Sequence, residues 1–464
     1  MRRDGARPPD RWWLVAASGL AVFMAQLDVT VVNVALPTIE HDFGTSPSLT
    51  EWVVLAYVLP LIALSLPSGR WLDRVGRREA LVFAVTGFAV ASIAAGLAPG
   101  IGWLLAMRAA QGAFGGILFA IVPVLTTIAV RPEARGRAMA VVMTLGPLGG
   151  VAGPGLGGLI VESFGWPWIF YLNVLVGTLV IAIAWPQLSR GGRLRPPSLA
   201  WAAEAGLLGA AAIVVMLALS LGASDGPAWL LLAPVAVPFV LAWWRLPTGR
   251  PVRELIAVPG MRGVHLALLA EMAAVMAVQF LIPFHLLRGG ASPSATGLTM
   301  LALPIGIMVA GLAGGVLSDR WGAGRTAVRG LCVLFAGLAV FEIAGFGPGW
   351  GPAELVGPLA VVGVGAGLFA GPNQTMAMSL SPQHLMGTTG ASTSLARQLG
   401  VALGPALATL TWSMTGYRFE GIRLALGTAV VLAVFSLAVL LIRSPVRHDH
   451  ATADARTQER KSMQ

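Results

Sequence analysis

The chain has 464 residues, of which 56% are hydrophobic and only 11% are charged. A soluble domain carries about 25% charged residues, so this composition excludes an ordinary soluble protein and indicates a membrane protein. The single cysteine excludes an intrachain disulfide, and the six histidines form no cluster with metal-ligand spacing, so we predict no metal site. The sequence also lacks a Walker-type phosphate-binding motif and a catalytic cluster, which excludes a nucleotide-driven pump and disfavours an enzyme.

The chain contains fourteen apolar stretches of the length that crosses a bilayer, about 20 residues each. Short loops separate them, and none of the loops is long enough to hold a soluble domain. The predicted spans are 12–37, 50–70, 79–98, 101–129, 137–161, 167–186, 199–222, 228–246, 262–287, 295–317, 326–346, 354–380, 386–413 and 421–442.

The basic residues predict the orientation of these spans. If the N-terminus is cytoplasmic and the spans alternate, nearly all of the 31 Lys and Arg residues fall on the cytoplasmic side, and only Arg288, Arg418 and Arg423 fall outside. The net charge of +10 is therefore a topology signal and does not indicate nucleic-acid binding. We predict a multi-pass protein of a bacterial cytoplasmic membrane with both termini in the cytoplasm.

A charged phrase occurs twice, as G-x-x-x-D-R-x-G-R-R at 69–78 and as G-x-x-x-D-R-x-G-x-G-R at 315–325. Each copy joins one predicted span to the next, which is typical of a transporter built from two similar halves. The candidate gating residues of the two copies are Gly69, Asp73, Arg74, Gly76, Arg77, Arg78, Asp319 and Arg320.

The distance between the two copies exceeds one six-helix half by roughly two helices. We therefore predict an all-α fold of fourteen transmembrane helices arranged as 6 + 2 + 6. The predicted parts are an N-terminal bundle at 1–198, an inserted helix pair at 199–250, a C-terminal bundle at 251–445 and a disordered cytoplasmic tail at 446–464.

Several polar side chains fall inside the predicted spans, where a charge is expensive unless it is paired or functional. Arg108 and Gln111 share one helix face because they are three residues apart. Glu271 lies in its half roughly where Asp28 lies in the first, and both acids are expected to face one chamber. A structural polar contact is the alternative for each. The candidate proton-coupling and cavity residues are Asp28, Asn33, Arg108, Gln111, Glu271, Gln279 and Arg397.

The fifth predicted span carries a run of glycines and prolines. Glycines at steps of four, three and four residues form one stripe, which allows a neighbouring helix to approach closely. We expect the prolines to bend the helix toward one side. The candidate residues are Gly146, Pro147, Gly150, Gly153, Pro154 and Gly157.

These phrases together resemble the major facilitator superfamily, and within it the fourteen-helix drug:proton antiporters. Residues 27–37 resemble L-D-x-T-V-V-N-V-A-L-P, residues 146–158 resemble the antiporter signature G-x-x-x-G-P-x-x-G-G, and residues 166–177 resemble W-R-W-x-F-x-I-N-x-P-x-G. The resemblance implies the major facilitator fold, a role for Arg108 in proton transfer, and a duplicated loop that steadies the outward-facing state. It also implies export.

The leading hypothesis is an exporter of lipophilic, cationic drugs or of a secondary metabolite, driven by proton exchange. A dedicated exporter of one self-made antibiotic is the alternative, and a proton-coupled uptake symporter is disfavoured by the fifth span. We expect a small-molecule substrate, a surrounding bilayer, a monomer, no nucleic-acid partner and no cofactor other than the coupling proton.

Overall fold

The computed structural model describes residues 10–72, 75–131, 134–188, 194, 196, 198–343 and 349–443. Across these ranges the chain forms helices joined by short turns, and no strand occurs in them. The helices that precede residue 190 are α1 (Trp12–Phe43), α2 (Pro47–Thr50), α3 (Trp52–Leu72), α4 (Arg77–Gly96), α5 (Ile101–Ala129), α6 (Arg135–Phe164) and α7 (Trp168–Ala184).

Ten further helices follow in the second part of the chain. They are α8 (Leu199–Ser224), α9 (Ala236–Arg245), α10 (Arg250–Ala257), α11 (Met261–Arg288), α12 (Pro293–Met300), α13 (Ala302–Trp321), α14 (Ala323–Ile343), α15 (Pro352–Leu380), α16 (Met386–Ser413) and α17 (Gly421–Arg443).

Twelve helical segments of the described chain are long and apolar enough to cross a membrane. The predicted spans 137–161 and 386–413 correspond to α6 and α16, which run for 30 and 28 residues. These two helices are not among the twelve, and the Ser, Thr and Gly residues of α16 make it less apolar. The membrane fold is thus confirmed, whereas the number fourteen stays a prediction.

Two predicted spans are less regular than expected. Span 228–246 begins as a 3-10 helix over Pro227–Val235 before α9, in a stretch where Pro227 and Pro234 lack backbone N–H donors. The start predicted at residue 50 is divided, because a separate short helix, α2, precedes α3.

The described chain separates into two compact units. The first contains residues 10–43 and 52–206, and the second contains residues 44–51 and 207–443. The boundary falls inside α8, and the segment Gly44–Glu51 belongs to the second unit although it lies between α1 and α3 in sequence. The division into a first bundle, an inserted pair and a second bundle stays a prediction.

The same helix pairings occur inside each unit. In the first unit α1 packs on α6, while α3 and α4 both pack on α5; in the second, α11 packs on α16, while α13 and α14 both pack on α15. Gly112 of α5 lies so close to the carbonyl of Tyr57 that a Cβ would overlap it, and Gly363 of α15 lies equally close to the carbonyl of Leu303. This repetition accords with the duplicated charged phrase.

Candidate functional site

Asp28 lies in the interior of the first unit and is fully enclosed by protein. One carboxylate oxygen forms an ion pair with Arg108 Nη1, and the other accepts a 2.7 Å hydrogen bond from Asn173 Nδ2. Three helices therefore meet at this carboxylate, since Asp28 is on α1, Arg108 on α5 and Asn173 on α7. Arg108 is therefore the direct counter-ion of this buried acid.

The guanidinium of Arg108 is held on several sides at once. Its Nε donates to the carbonyl oxygen of Val53 at 2.9 Å, and its Nη1 also donates to Gln111 Oε1 at 3.0 Å. Its Cζ lies 4.4 Å from the centre of the Tyr57 ring, which is a cation–π distance. Arginine stays charged almost anywhere, so these contacts stabilise the cation in its buried position.

A hydrogen-bond chain extends the cluster to a fourth helix. Gln111 Nε2 donates to Ser92 Oγ at 2.6 Å, and Ser92 Oγ donates to the carbonyl oxygen of Phe88 at 2.8 Å. Asp28, Arg108, Gln111, Ser92 and Asn173 each expose at most 1% of their surface. We name these five residues the Asp28 cluster.

Close contact between α3 and α5 positions this cluster. Because Gly112 has no side chain, α5 can approach the backbone of Tyr57 closely. Arg108 precedes Gly112 by one turn on the same helix and is therefore held near α3. The predicted face shared by Arg108 and Gln111 is present, since the two side chains bond to one another. Asn33, the other candidate on α1, is also buried.

The second unit holds a different acid. Glu271 of α11 exposes 1% of its surface, and no described residue forms a hydrogen bond with its Oε2. Arg397 of α16 is the cation that acts on it electrostatically, and no direct ion pair joins the two among the described residues. Gly400 and Gly404 of α16 meet the carbonyls of Leu269 and Ala273, which brings α16 against this part of α11.

The other candidate on α11 is Gln279, which is buried two turns after Glu271. The prediction that Glu271 and Asp28 face one chamber stays a prediction, because the two acids belong to different units.

The glycine stripe of α6 differs from the prediction by one position. Gly149 lies against the carbonyl of Phe23, Gly153 against Thr30 and Gly157 against Val31, whereas a Cβ at Gly150 would meet nothing within 4 Å. Gly146 touches the side chain of Val22. The expectation that Gly150 packs in the stripe is wrong, because the helical period directs Gly149 to α1 instead.

The remaining gating candidates are only partly described. Asp73 and Arg74 lie outside the described residues, as do the side chains of Pro147 and Asp319. Of the others, Pro154 is buried in α6 and Gly69 is part of α3. Gly76 precedes α4, and Arg77 is exposed at its start. Arg78 stacks on Trp185 with Cζ 3.6 Å from the ring centre, and Arg320 is exposed near the end of α13. Their role in gating stays a prediction.

A groove of about 1050 Å³ lies on the first unit. Its mostly apolar walls include Phe83, Gly87, Phe114 and Trp185, and Arg78 also lines it. None of the Asp28 cluster lines it. We therefore assign this groove no part in proton coupling.

Sequence reasoning missed one buried acid altogether. Glu51 is 0% exposed, and neither of its carboxylate oxygens has a hydrogen-bond partner within the part of the chain that the structure describes. It follows α2 directly, within the segment that belongs to the second unit. A residue at the edge of a predicted span is usually exposed, so its position did not indicate burial. The one available signal was an acid directly beside Trp52 at the start of the span.

Comparison with known proteins identifies the family. The sequence profile described as "Major Facilitator Superfamily" matches residues 19–405 and, in a second alignment, residues 264–462. The chain belongs to the major facilitator superfamily. Its members are transporters and not enzymes, so the chain is a membrane-embedded protein that acts on a small-molecule substrate.

Similar proteins include drug efflux and antibiotic-resistance proteins. "Drug efflux pump JefA" of Mycobacterium tuberculosis is 30% identical over 401 residues, covering 84% of this chain and 78% of that protein. "Puromycin resistance protein pur8" of Streptomyces alboniger is 30% identical over 414 residues, covering 86% and 81%. A bacterial homologue of the human lysosomal transporter Spinster, solved in an inward-facing and occupied conformation, has the same fold, with a TM-score of 0.71 at 17% identity over 94% of this chain and 97% of that one.

Proposed function

We propose that this transporter exports lipophilic, cationic small molecules in exchange for protons by alternating access. The single observation that carries the proposal is the buried Asp28–Arg108 pair, held by Asn173 and Gln111 inside one unit of a transporter. Similarity to proteins named as drug efflux and resistance proteins supports the direction of transport.

The chemistry of the pair suggests how a proton drives the cycle. A proton that binds Asp28 removes the counter-ion of Arg108 and leaves a buried cation. Removing one partner of a buried ion pair is costly, about 3–5 kcal/mol in typical cases. The protonated state therefore favours a rearrangement that gives Arg108 a new partner or water. In this proposal the same rearrangement switches the transporter from one side of the membrane to the other.

Glu271 is the second element of the proposal. Its Oε2 is unpartnered and Arg397 acts on it only at longer range. The charge of Arg397 favours the ionised form of Glu271, and a carboxylate in an apolar surrounding attracts a lipophilic cation, so we assign Glu271 to cargo selection. Asp28, which already has a strong cation partner, is assigned to the proton.

The alternative is a dedicated exporter of one antibiotic that the cell makes itself. Lys461 is the only lysine beside many Arg, Ala and Gly residues, a composition typical of a GC-rich genome. The resistance protein of Streptomyces alboniger is similar along most of the chain and is named for a single antibiotic. A substrate panel distinguishes the two functions, because a dedicated exporter moves one compound only.

The deciding experiment uses purified protein in liposomes with an imposed pH gradient. We expect a panel of cationic dyes and antibiotics to move against the proton flow, and we expect a protonophore to stop this movement. If acidification of one side moves no solute, the proposal is wrong. Movement of solute in the same direction as the protons would indicate the uptake symporter instead.

The site of action is part of the proposal as well. We place the protein in the bacterial cytoplasmic membrane as a monomer with both termini in the cytoplasm. A tag at either terminus should be protease-accessible only after the membrane is opened.

A further inference from the structure

The segment Gly44–Glu51 carries an unusual buried acid. Gly44 has φ +60, a left-handed conformation that ends α1, and Ser46 caps the next turn by accepting from the Leu49 N–H at 3.3 Å. Pro47 occupies the first helical position, where its missing N–H is harmless. This local order directs Glu51 into the second unit.

The acid is enclosed by groups from other parts of that unit. The polar side chain beside the Glu51 carboxyl is that of Thr409 of α16, but no hydrogen bond joins the two groups. Among the described residues, Thr409 Oγ1 is itself buried without a partner. Two groups that could bond to one another therefore lie side by side unbonded.

The neighbouring residues fix the segment in place. Ser220 Oγ of α8 donates to the carbonyl oxygen of Ser48 at 3.5 Å, and the side chain of Tyr417, which follows α16, lies near the Ser48 hydroxyl. The Tyr417 hydroxyl also donates to the carbonyl oxygen of Ala223 at 3.4 Å. Ser48 is consequently buried, at 3% exposure, whereas Leu49 beside it is exposed.

Among the described residues, burial and Thr409 are the influences on the Glu51 carboxyl, and no ion pair joins it to a basic side chain. A negative charge on Glu51 acts electrostatically on the hydroxyl group of Tyr417, which is itself titratable. Arg288 Nη1 donates to the carbonyl oxygen of Tyr417 at 2.8 Å, and its guanidinium stacks on Trp412. Asp225 accepts from Ser224, and Arg397, the charged residue of α16, is about 18 Å along that helix from Thr409.

We propose that Glu51 is a second proton-binding residue, whose neutral carboxyl donates to Thr409 and holds the Gly44–Glu51 segment in the second unit. Loss of the proton leaves a buried carboxylate without a partner, which disfavours the docked segment. The segment continues directly into α1 and α3 of the first unit. If it leaves its site in the second unit, a change in the protonation of Glu51 therefore affects both units. In the proposed topology this end of the protein faces outside, where protons enter.

This inference rests on the proposed function, and its test uses a readout that does not need transport. In a Cys332→Ala background, the rate at which Ser48→Cys reacts with a membrane-impermeant maleimide reports how often the segment leaves its site. We expect the rate to rise about tenfold between about pH 5.5 and about pH 8.5, after correction for thiolate content with the exposed control Leu49→Cys.

Glu51→Gln decides the assignment. Glutamine keeps the size, stays neutral and can donate to Thr409, so we expect the Ser48→Cys reaction to stay slow at both pH values. Glu51→Asp retains a titratable group and should restore part of the pH response. An unchanged tenfold rise in Glu51→Gln would overturn the inference, as would a pH-independent rate in the Glu51-containing parent.

Two controls separate this result from other causes. Glu354→Gln alters an exposed acid that caps α15, a position where glutamine serves as well, and should leave the reaction unchanged. Thr409→Val removes the hydroxyl and should speed the reaction at acidic pH. If the parent protein drives no solute under a pH gradient but shows the Glu51-dependent reaction, the proposed antiport fails and the proton-binding role of Glu51 stands.

Discussion

Gly153 of α6 lies directly on Thr30 of α1, two residues after Asp28, so closely that a Cβ at position 153 would overlap the threonine hydroxyl. The contact fixes α1, which carries Asp28, against α6, which carries the glycine stripe. Each glycine on this face therefore sets the separation of α1 and α6.

The first prediction compares two glycines on α6. Gly153→Leu should force α1 away and reduce transport severely, since overpacking typically costs about 1–3 kcal/mol of folding free energy. Gly150→Leu is the matched control, because a side chain at position 150 meets open space. Transport by the two variants, at equal amounts in the membrane, checks this; a greater loss in Gly150→Leu would contradict the packing described.

A second prediction concerns Asp28, the acid to which we assign the proton. Asp28→Asn should abolish proton-driven efflux, and it should also lower the thermal unfolding temperature because Arg108 keeps a buried charge without its partner. The double variant Asp28→Asn/Arg108→Met removes both charges and should recover stability without recovering transport. Recovery of efflux in the double variant would mean that the pair is structural only.

The third prediction concerns cargo selection. Glu271→Gln should weaken export of cationic compounds by about tenfold, equal to about 1.4 kcal/mol, while neutral compounds are affected less. Competition between a cationic and a neutral substrate of matched size measures the difference. Equal losses for both would assign Glu271 to the proton instead.

The fourth prediction tests how Arg108 is positioned. Gly112→Ala places a methyl group against the Tyr57 carbonyl and should push α5 from α3, with about 1–3 kcal/mol lost from stability and a larger loss in transport. Gly102→Ala, on the same helix but facing open space, is the control and should be neutral or slightly stabilising. Thermal unfolding in detergent with a transport assay distinguishes the two.

Much of the fold and part of the site could be predicted from the sequence. Hydrophobic stretches and the duplicated phrase indicate a two-part helical membrane protein, because bilayer thickness imposes the length of each span. Arg108 and Gln111 could be placed on one face from their spacing alone. That Arg108 pairs with Asp28 could not, since the pairing depends on how α1 and α5 come together.

The misses have physical causes. Gly149 and Gly150 are adjacent, so a small error in helical phase exchanges the packed residue for the unpacked one. Asn173 lies in a recognised phrase, but nothing local reveals that its amide reaches a carboxylate on α1. Glu51 is buried only because a short segment between two helices of the first unit belongs to the second.

The Asp28–Arg108 pair has an electrical consequence. With both groups ionised the pair is neutral, and binding a proton leaves one net positive charge in the cluster. In the proposed cycle the proton-loaded transporter therefore experiences the membrane voltage, by about 2.3 kcal/mol per 100 mV for a charge that crosses the whole field, while the proton-free transporter experiences the voltage only through the charge of its cargo. With a neutral cargo, potassium-diffusion potentials of either sign, imposed at equal pH on the two sides, should change the rate of the proton-loaded half of the cycle and leave the other half unchanged.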